Sequence, residues 1–111
     1  MKQPGYIDYV LDMLMPLGGI TSRRMFGGYG LYRYGIIFAI VADDILYFKT
    51  DAQTCKAYQV YDAVPFTYEG KDGQRVALSY WQVPAEVLEN QEILRQWVDQ
   101  AVAVSKQAKK K

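Results

Sequence analysis

The seven residues from Ile36 to Ala42 (IIFAIVA) offer no polar side chain to either face of an extended chain. A strand of that kind belongs in the middle of a sheet, with a layer packed on one side and large rings shielding the other. It is far shorter than the ~20 apolar residues a membrane-spanning helix needs. Turn-forming pairs bound it, Tyr34-Gly35 before and Asp43-Asp44 after. Its neighbours must therefore be strands: an irregular, glycine- and aromatic-rich one over Arg24 to Arg33, and Ile45 to Lys49.

Around this meander the pattern changes period. Ile7, Val10, Leu11 and Leu14 recur at helical spacing, with Asp8 and Asp12 opposite, so a helix is expected over about residues 5–15. Pro16 and Gly18-Gly19 stop it. Thr50-Asp51, with Gln53 three residues after Thr50, signals a capped helix over about 52–61. Pro65 separates that helix from a strand over Phe66 to Glu69, and Gly70-Lys71-Asp72-Gly73 turns the chain into Gln74 to Gln82. There Val76, Leu78 and Tyr80 alternate with Ala77, Ser79 and Trp81, so Tyr80 and Trp81 face opposite sides. Pro84 opens a short helical turn. A final helix starts near Gln91, with Ile93, Leu94, Trp97, Val98, Ala101 and Val102 on its apolar side. The expected fold is α+β and two-layered: a mostly antiparallel five-stranded sheet with helices on one face, in the order α-β-β-β-α-β-β-α. Residues 1–105 form the domain and 106–111 a lysine-rich tail.

The side-chain inventory narrows the chemistry. The chain has no histidine and one cysteine, Cys55. That removes the Ser-His and Cys-His dyads, clustered-thiolate metal sites and any internal disulfide. Cys55 has no histidine to activate it and reads as an inert, partly buried thiol. Asp43-Asp44 and the pair Glu69 and Asp72 lie at hairpin tips, where acids serve the turn rather than a catalytic cleft. No catalytic residue, metal or cofactor is expected. The net charge of +1 conceals an asymmetry: Lys106, Lys109, Lys110 and Lys111 leave 9 basic residues against 12 acids in the rest. A body with a net charge of −3 is a poor match for a nucleic-acid backbone, so such contact would need a local patch or the tail. With no signal-peptide pattern, the chain is expected to be soluble and cytoplasmic.

The segment Arg23-Arg24-Met25-Phe26-Gly27-Gly28-Tyr29-Gly30 stands out as a candidate interaction surface. Its glycines could let a ligand approach the backbone, or could serve a bulged strand and close packing. It lacks the Gly-Lys-Ser/Thr ending of a phosphate loop and the last glycine of a dinucleotide fingerprint. Arg23 and Arg24 could grip a carboxylate or phosphate; strand alternation predicts that only one of them points outward.

This segment, continued by Leu31-Tyr32, is joined by Leu46-Tyr47-Phe48-Lys49, Pro65-Phe66-Thr67-Tyr68 and Leu78-Ser79-Tyr80-Trp81-Gln82-Val83-Pro84. Together, over about residues 4–103, they resemble the N-terminal domain of the TfoX/Sxy family. The resemblance implies a secretion-chaperone-like α+β fold and no enzymatic activity. It also implies a role in regulating bacterial competence genes, where the best-known members act with the cyclic-AMP receptor protein. The functional expectation is a regulatory module that docks a protein partner, from the transcription machinery or as a self-dimer. Direct nucleic-acid binding through Arg23, Arg24 and the C-terminal lysines, or small-molecule binding over the glycine-rich strand, are the alternatives.

Overall fold

Six strands form one antiparallel sheet: β1 (Ile20–Met25), β2 (Gly28–Arg33), β3 (Ile36–Ala42), β4 (Ile45–Lys49), β5 (Pro65–Glu69) and β6 (Arg75–Gln82), in the spatial order β1-β2-β3-β4-β6-β5. Helix α1 (Tyr6–Leu14) precedes them, α2 (Cys55–Val60) separates β4 from β5, and α3 (Ala85–Leu88) and α4 (Gln91–Lys109) close the chain. The computed structural model describes residues 5–25, 28–69 and 75–109; the turn expected over 70–73 lies outside the described residues.

The strand count is a correction. The expected single strand over Arg24 to Arg33 is a hairpin: β1 ends at Met25, β2 begins at Gly28, and these two residues are register partners. β1 also starts four residues earlier than expected, because the chain reverses sharply after the 3₁₀ turn Met15–Leu17. Gly18 and Gly19 make that reversal at φ of 86° and 74°. The Tyr34 ring lies directly on Gly19, where an added Cβ would come within 2.6 Å of a ring carbon. Beside it, the Arg33 guanidinium donates to the carbonyls of Leu17 (2.9 Å) and Gly18 (3.2 Å) and pairs with Asp99 on α4 (2.6 Å). The end of β2 thus holds the entry to β1 in place.

Tight turns join the meander. Tyr34 and Gly35 take φ of 49° and 82°, and Asp43 and Asp44 take 52° and 59°. Positive φ at both central residues is the turn that suits the twist of paired strands. Within β3, Phe38 and Ala39 are consecutive yet both fully buried. The register explains this: Leu31 pairs with Ala39 and Tyr32 with Ile37, leaving Phe38 as a bulge residue that shares the core face with its neighbour.

That core face carries Leu31, Ala39, Val41, Leu46 and Phe48, in register with one another. The helices cover it with Val10 and Leu14 from α1, Tyr58 from α2, Val87 and Leu88 from α3, and Leu94, Trp97, Val98 and Ala101 from α4. Trp97 is the centre of an aromatic group, with ring centroids 4.3 Å from Tyr58 and 5.8 Å from Tyr61. Trp81 packs against the same core, opposite Phe48, as the alternation of β6 requires.

The start of α2 differs from the sequence expectation, whereas α4 begins at Gln91 as expected. Before α2 the reciprocal cap joins Asp51 and Thr54, not Thr50 and Gln53. The Asp51 carboxylate accepts the Thr54 N–H (2.8 Å) and Gln53 N–H (3.0 Å), and the Thr54 hydroxyl accepts the Asp51 N–H (3.0 Å). These bonds, the one from the Thr54 N–H foremost, hold the Asp51 carboxyl below its ordinary value. Thr50 is instead buried, its N–H bonded to the Ser79 carbonyl. At the start of α4, the Asn90 side chain accepts the N–H groups of Glu92 and Ile93, both at 3.1 Å.

Ser105, 5 % exposed on α4, has a buried hydroxyl with no hydrogen-bond partner among the described residues. A buried donor left unpaired costs more than its removal. Ser105→Ala should therefore raise stability by about 1 kcal/mol, read as a midpoint shift in urea denaturation with an unchanged slope.

Burial also makes the fold sensitive to alkali. Tyr58 is 2 % exposed, and desolvation pushes its hydroxyl far above the ordinary value of 10.0. Tyr80 and Tyr47 are raised too, each chiefly by burial. A group whose folded pKa is raised contributes stability that is complete below the unfolded value and lost as pH climbs past it. Urea midpoints should fall above about pH 10, with each such tyrosine adding up to ~1.4 kcal/mol per pH unit. Tyr58→Phe should flatten that limb.

Candidate functional site

With the helices gathered on one face, the register defines what the other face presents. Arg23 lies opposite Gly30, Gly30 opposite Ile40, Ile40 opposite Tyr47 and Tyr47 opposite Gln82, a row that crosses β1 to β6. The row beside it runs through Thr21, Tyr32 and Ile37, and continues with Lys49 and Tyr80. Met25 and Gly28 stand beyond Arg23 and Gly30, towards the β3–β4 turn. This helix-free face is aliphatic and aromatic, and Tyr32, Ile37, Ile40, Phe66 and Tyr80 all keep part of their surface in solvent.

Rings organise it. The Phe66 ring stands edge-on to Tyr47 with centroids 4.9 Å apart, reaching over β6 from β5 and leaving Tyr47 9 % exposed. The Lys49 ammonium lies 5.2 Å from the centre of the Tyr80 ring. Burial is the main cause of the raised Tyr80 hydroxyl, with Tyr32 adding to it electrostatically. The large rings expected on the uncovered side of Ile36 to Ala42 are Tyr32, Tyr47 and Tyr80.

The sequence-predicted segment forms one end of this face. Gly28 and Gly30 lie in the same row direction on β2, and the fold uses them differently. A Cβ on Gly28 would run into the backbone carbonyl of Val41, whereas one on Gly30 would meet only the tip of Met25, at 3.1 Å, and Ile37, at 3.4 Å. Tyr29 points the other way and packs against the core. Phe26 and Gly27 lie outside the described residues. Arg23 and Arg24 are both exposed, against the expectation that only one would be. β1 is the edge strand, so neither of its faces is fully covered; Arg23 takes the helix-free side and Arg24 the helix side. The two arginines do not form one basic patch.

Elsewhere the possibilities narrow. A groove of about 230 Å³ lined by Pro16, Leu17, Gln91, Glu92 and Arg95 lies on the helical side and includes no residue of the glycine-rich segment. Among the described residues, no three of His, Cys, Asp or Glu come together where they could hold a metal ion. No described helix is long and apolar enough to cross a membrane. Cys55 is a free thiol, half-buried, with Sγ 3.6 Å from the Ala52 carbonyl oxygen. Asp43 and Asp44 serve their turn, as expected.

Residues 12–105 match the family model of the TfoX N-terminal domain. The chain belongs to that family. Within it, this TfoX domain is 34% identical over 80 residues to Protein Sxy of Escherichia coli (strain K12), a match covering 72% of the chain and 38% of that protein. The chain therefore spans well under half the length of the relative it matches.

Tyr32, Tyr47, Phe66 and Tyr80 of this TfoX domain lie in the segments that carry the family resemblance, yet no motif marks them, or Ile37 and Ile40, as a site. The signal was present, in a strand apolar on both faces within a chain holding ten tyrosines. Seeing them as one surface required the register.

Proposed function

We propose that the chain is a non-enzymatic regulatory domain of the TfoX/Sxy kind, which acts by docking a protein from the transcription machinery on the helix-free face of its sheet. The observation that carries this reading is the half-exposed field of Tyr32, Ile37, Ile40, Phe66 and Tyr80 around Tyr47. Contiguous apolar surface of this kind marks interaction sites, and tyrosine is favoured at contacts because its ring packs while its hydroxyl stays satisfied. Family membership supports a regulatory role, and the absence of histidine from the sequence removes the commonest general base from any rival enzymatic account. Control of competence genes is the role that the TfoX/Sxy resemblance brings with it.

Site-specific photo-crosslinking in a bacterial host tests the surface. A photoreactive residue at position 32 or 80 should capture a discrete protein, and one at position 34, in the exposed β2–β3 turn, should not. Capture from position 34 alone, or from Val60 on the exposed end of α2, would move the docking site off the sheet.

A further inference from the structure

The sheet has two edges, and they differ. β5 begins with Pro65, which has no N–H to give to a further strand. β1 is six residues long without proline, and among the described residues its outer side has no strand beside it. Thr21, Ser22, Arg23 and Arg24 are exposed in succession. Neither Arg23 nor Arg24 has an ion-pair or hydrogen-bond partner among the described residues: Gly30, opposite Arg23, has no side chain, and Arg24 faces Tyr29. Adjacent residues in a strand point to opposite faces, so the edge carries one unpaired guanidinium above the sheet and one below.

From this geometry we infer that β1 receives an extended acidic segment of the partner protein as a seventh strand. The inference rests on the protein-docking reading above and names the chemistry of what docks. Strand addition draws its affinity from main-chain hydrogen bonds and its selectivity from alternate side chains. Here the selective feature is a pair of adjacent carboxylates, one meeting Arg23 on the helix-free side and the other Arg24 on the helix side, at cross-strand distance. The same arginines disfavour a second copy of β1 in the registers that set Arg23 or Arg24 opposite its own counterpart, because those bring like charges together. Residues of the added strand beside Thr21 and Met25 would continue the apolar face, so the partner can extend from the edge onto the rings.

The test is a titration of the isotope-labelled full chain with capped decapeptides of alternating valine and threonine around a central pair of glutamates, glutamines or lysines. The glutamate peptide should shift the amide resonances of β1 and its β2 partners. Its affinity should fall about tenfold or more with the glutamine peptide, and equally in the double variant Arg23→Gln, Arg24→Gln. Both arginines are exposed and unpaired among the described residues, so that variant should melt with the parent. Four results would overturn the inference: equal binding of the lysine peptide, shifts confined to other strands or helices, no shift at millimolar peptide, or β1 shifts that grow with protein concentration alone, the mark of a second copy. Displacement of the peptide from β1 by a short single-stranded oligonucleotide would reassign the arginines to nucleic acid. Failure here with capture intact from positions 32 and 80 removes the acidic strand but leaves the docking face; loss of that capture removes the face itself.

Discussion

Gly28→Ala is expected to cost about 3 kcal/mol, at the upper end of what overpacking does. The added methyl would point at the carbonyl oxygen of Val41 on the neighbouring strand. A backbone carbonyl held in a sheet cannot swing aside as a side chain can, so β2 and β3 must part or twist locally. Gly30→Ala, two residues on, is the control. There the nearest atoms are the Met25 thioether and methyl, the far end of a flexible side chain, and alanine also restricts the unfolded chain. Its cost should stay below about 1 kcal/mol. Thermal melts of the two variants should differ by roughly 10 °C or more. Comparable melting temperatures would mean that β2 does not approach β3 as described.

The second large effect is expected at the opposite side of the core. Trp97→Ala removes a side chain 8 % exposed that packs against Tyr58 and Tyr61 and is held among the core residues of α4. Large aromatic truncations of this kind cost about 3–5 kcal/mol, a combination of lost transfer energy and an unfilled cavity. The ring contact adds to that, since aromatic pairs contribute ~0.5–1.5 kcal/mol beyond their area. Trp97→Phe keeps most of the volume and should recover more than half of the loss. A distinct consequence follows for Tyr58, whose hydroxyl is held high by burial. With the indole gone, water reaches the phenol, and tyrosinate absorbance near 295 nm should begin to rise at lower pH than in the parent chain. A stability loss without that spectroscopic change would place the damage elsewhere than the Tyr58 contact.

Much of this architecture is legible in the residues, for identifiable reasons. β3 follows from its unbroken apolar run between two turn-forming pairs and α4 from hydrophobic periodicity, because both are central to burial and no local signal competes. The turns Tyr34-Gly35 and Asp43-Asp44 are legible because glycine and aspartate accept positive φ; that Tyr34 shares it does not follow from its residue type. β1 is less so. Thr21, Ser22, Arg23 and Arg24 are polar and exposed, so the strand exists through pairing with β2 and through the Arg33 clamp, neither of which leaves a local pattern. The bulge at Phe38 is likewise invisible in a run where every residue is apolar. The cap at Asp51 competes with an adjacent threonine of the same propensity, and the burial of Thr50 decides between them.

The candidate site shows the same division. Its glycine-rich segment is conspicuous in the sequence, yet Gly28 is required by strand packing and Tyr29 by the core. The surface that remains available is built from residues scattered over β2, β3, β4, β5 and β6, which only the register assembles.

Whether that surface docks a protein is tested most directly by two lysine substitutions compared in the same cells. Ile40 lies in the middle of the helix-free face, and Val60, 80 % exposed, lies on α2. For purified variants that both remain folded, capture of the crosslinked protein from position 80 should be lost with Ile40→Lys and kept with Val60→Lys. Capture that survives Ile40→Lys and disappears with Val60→Lys would contradict the account and assign the docking to the helical side.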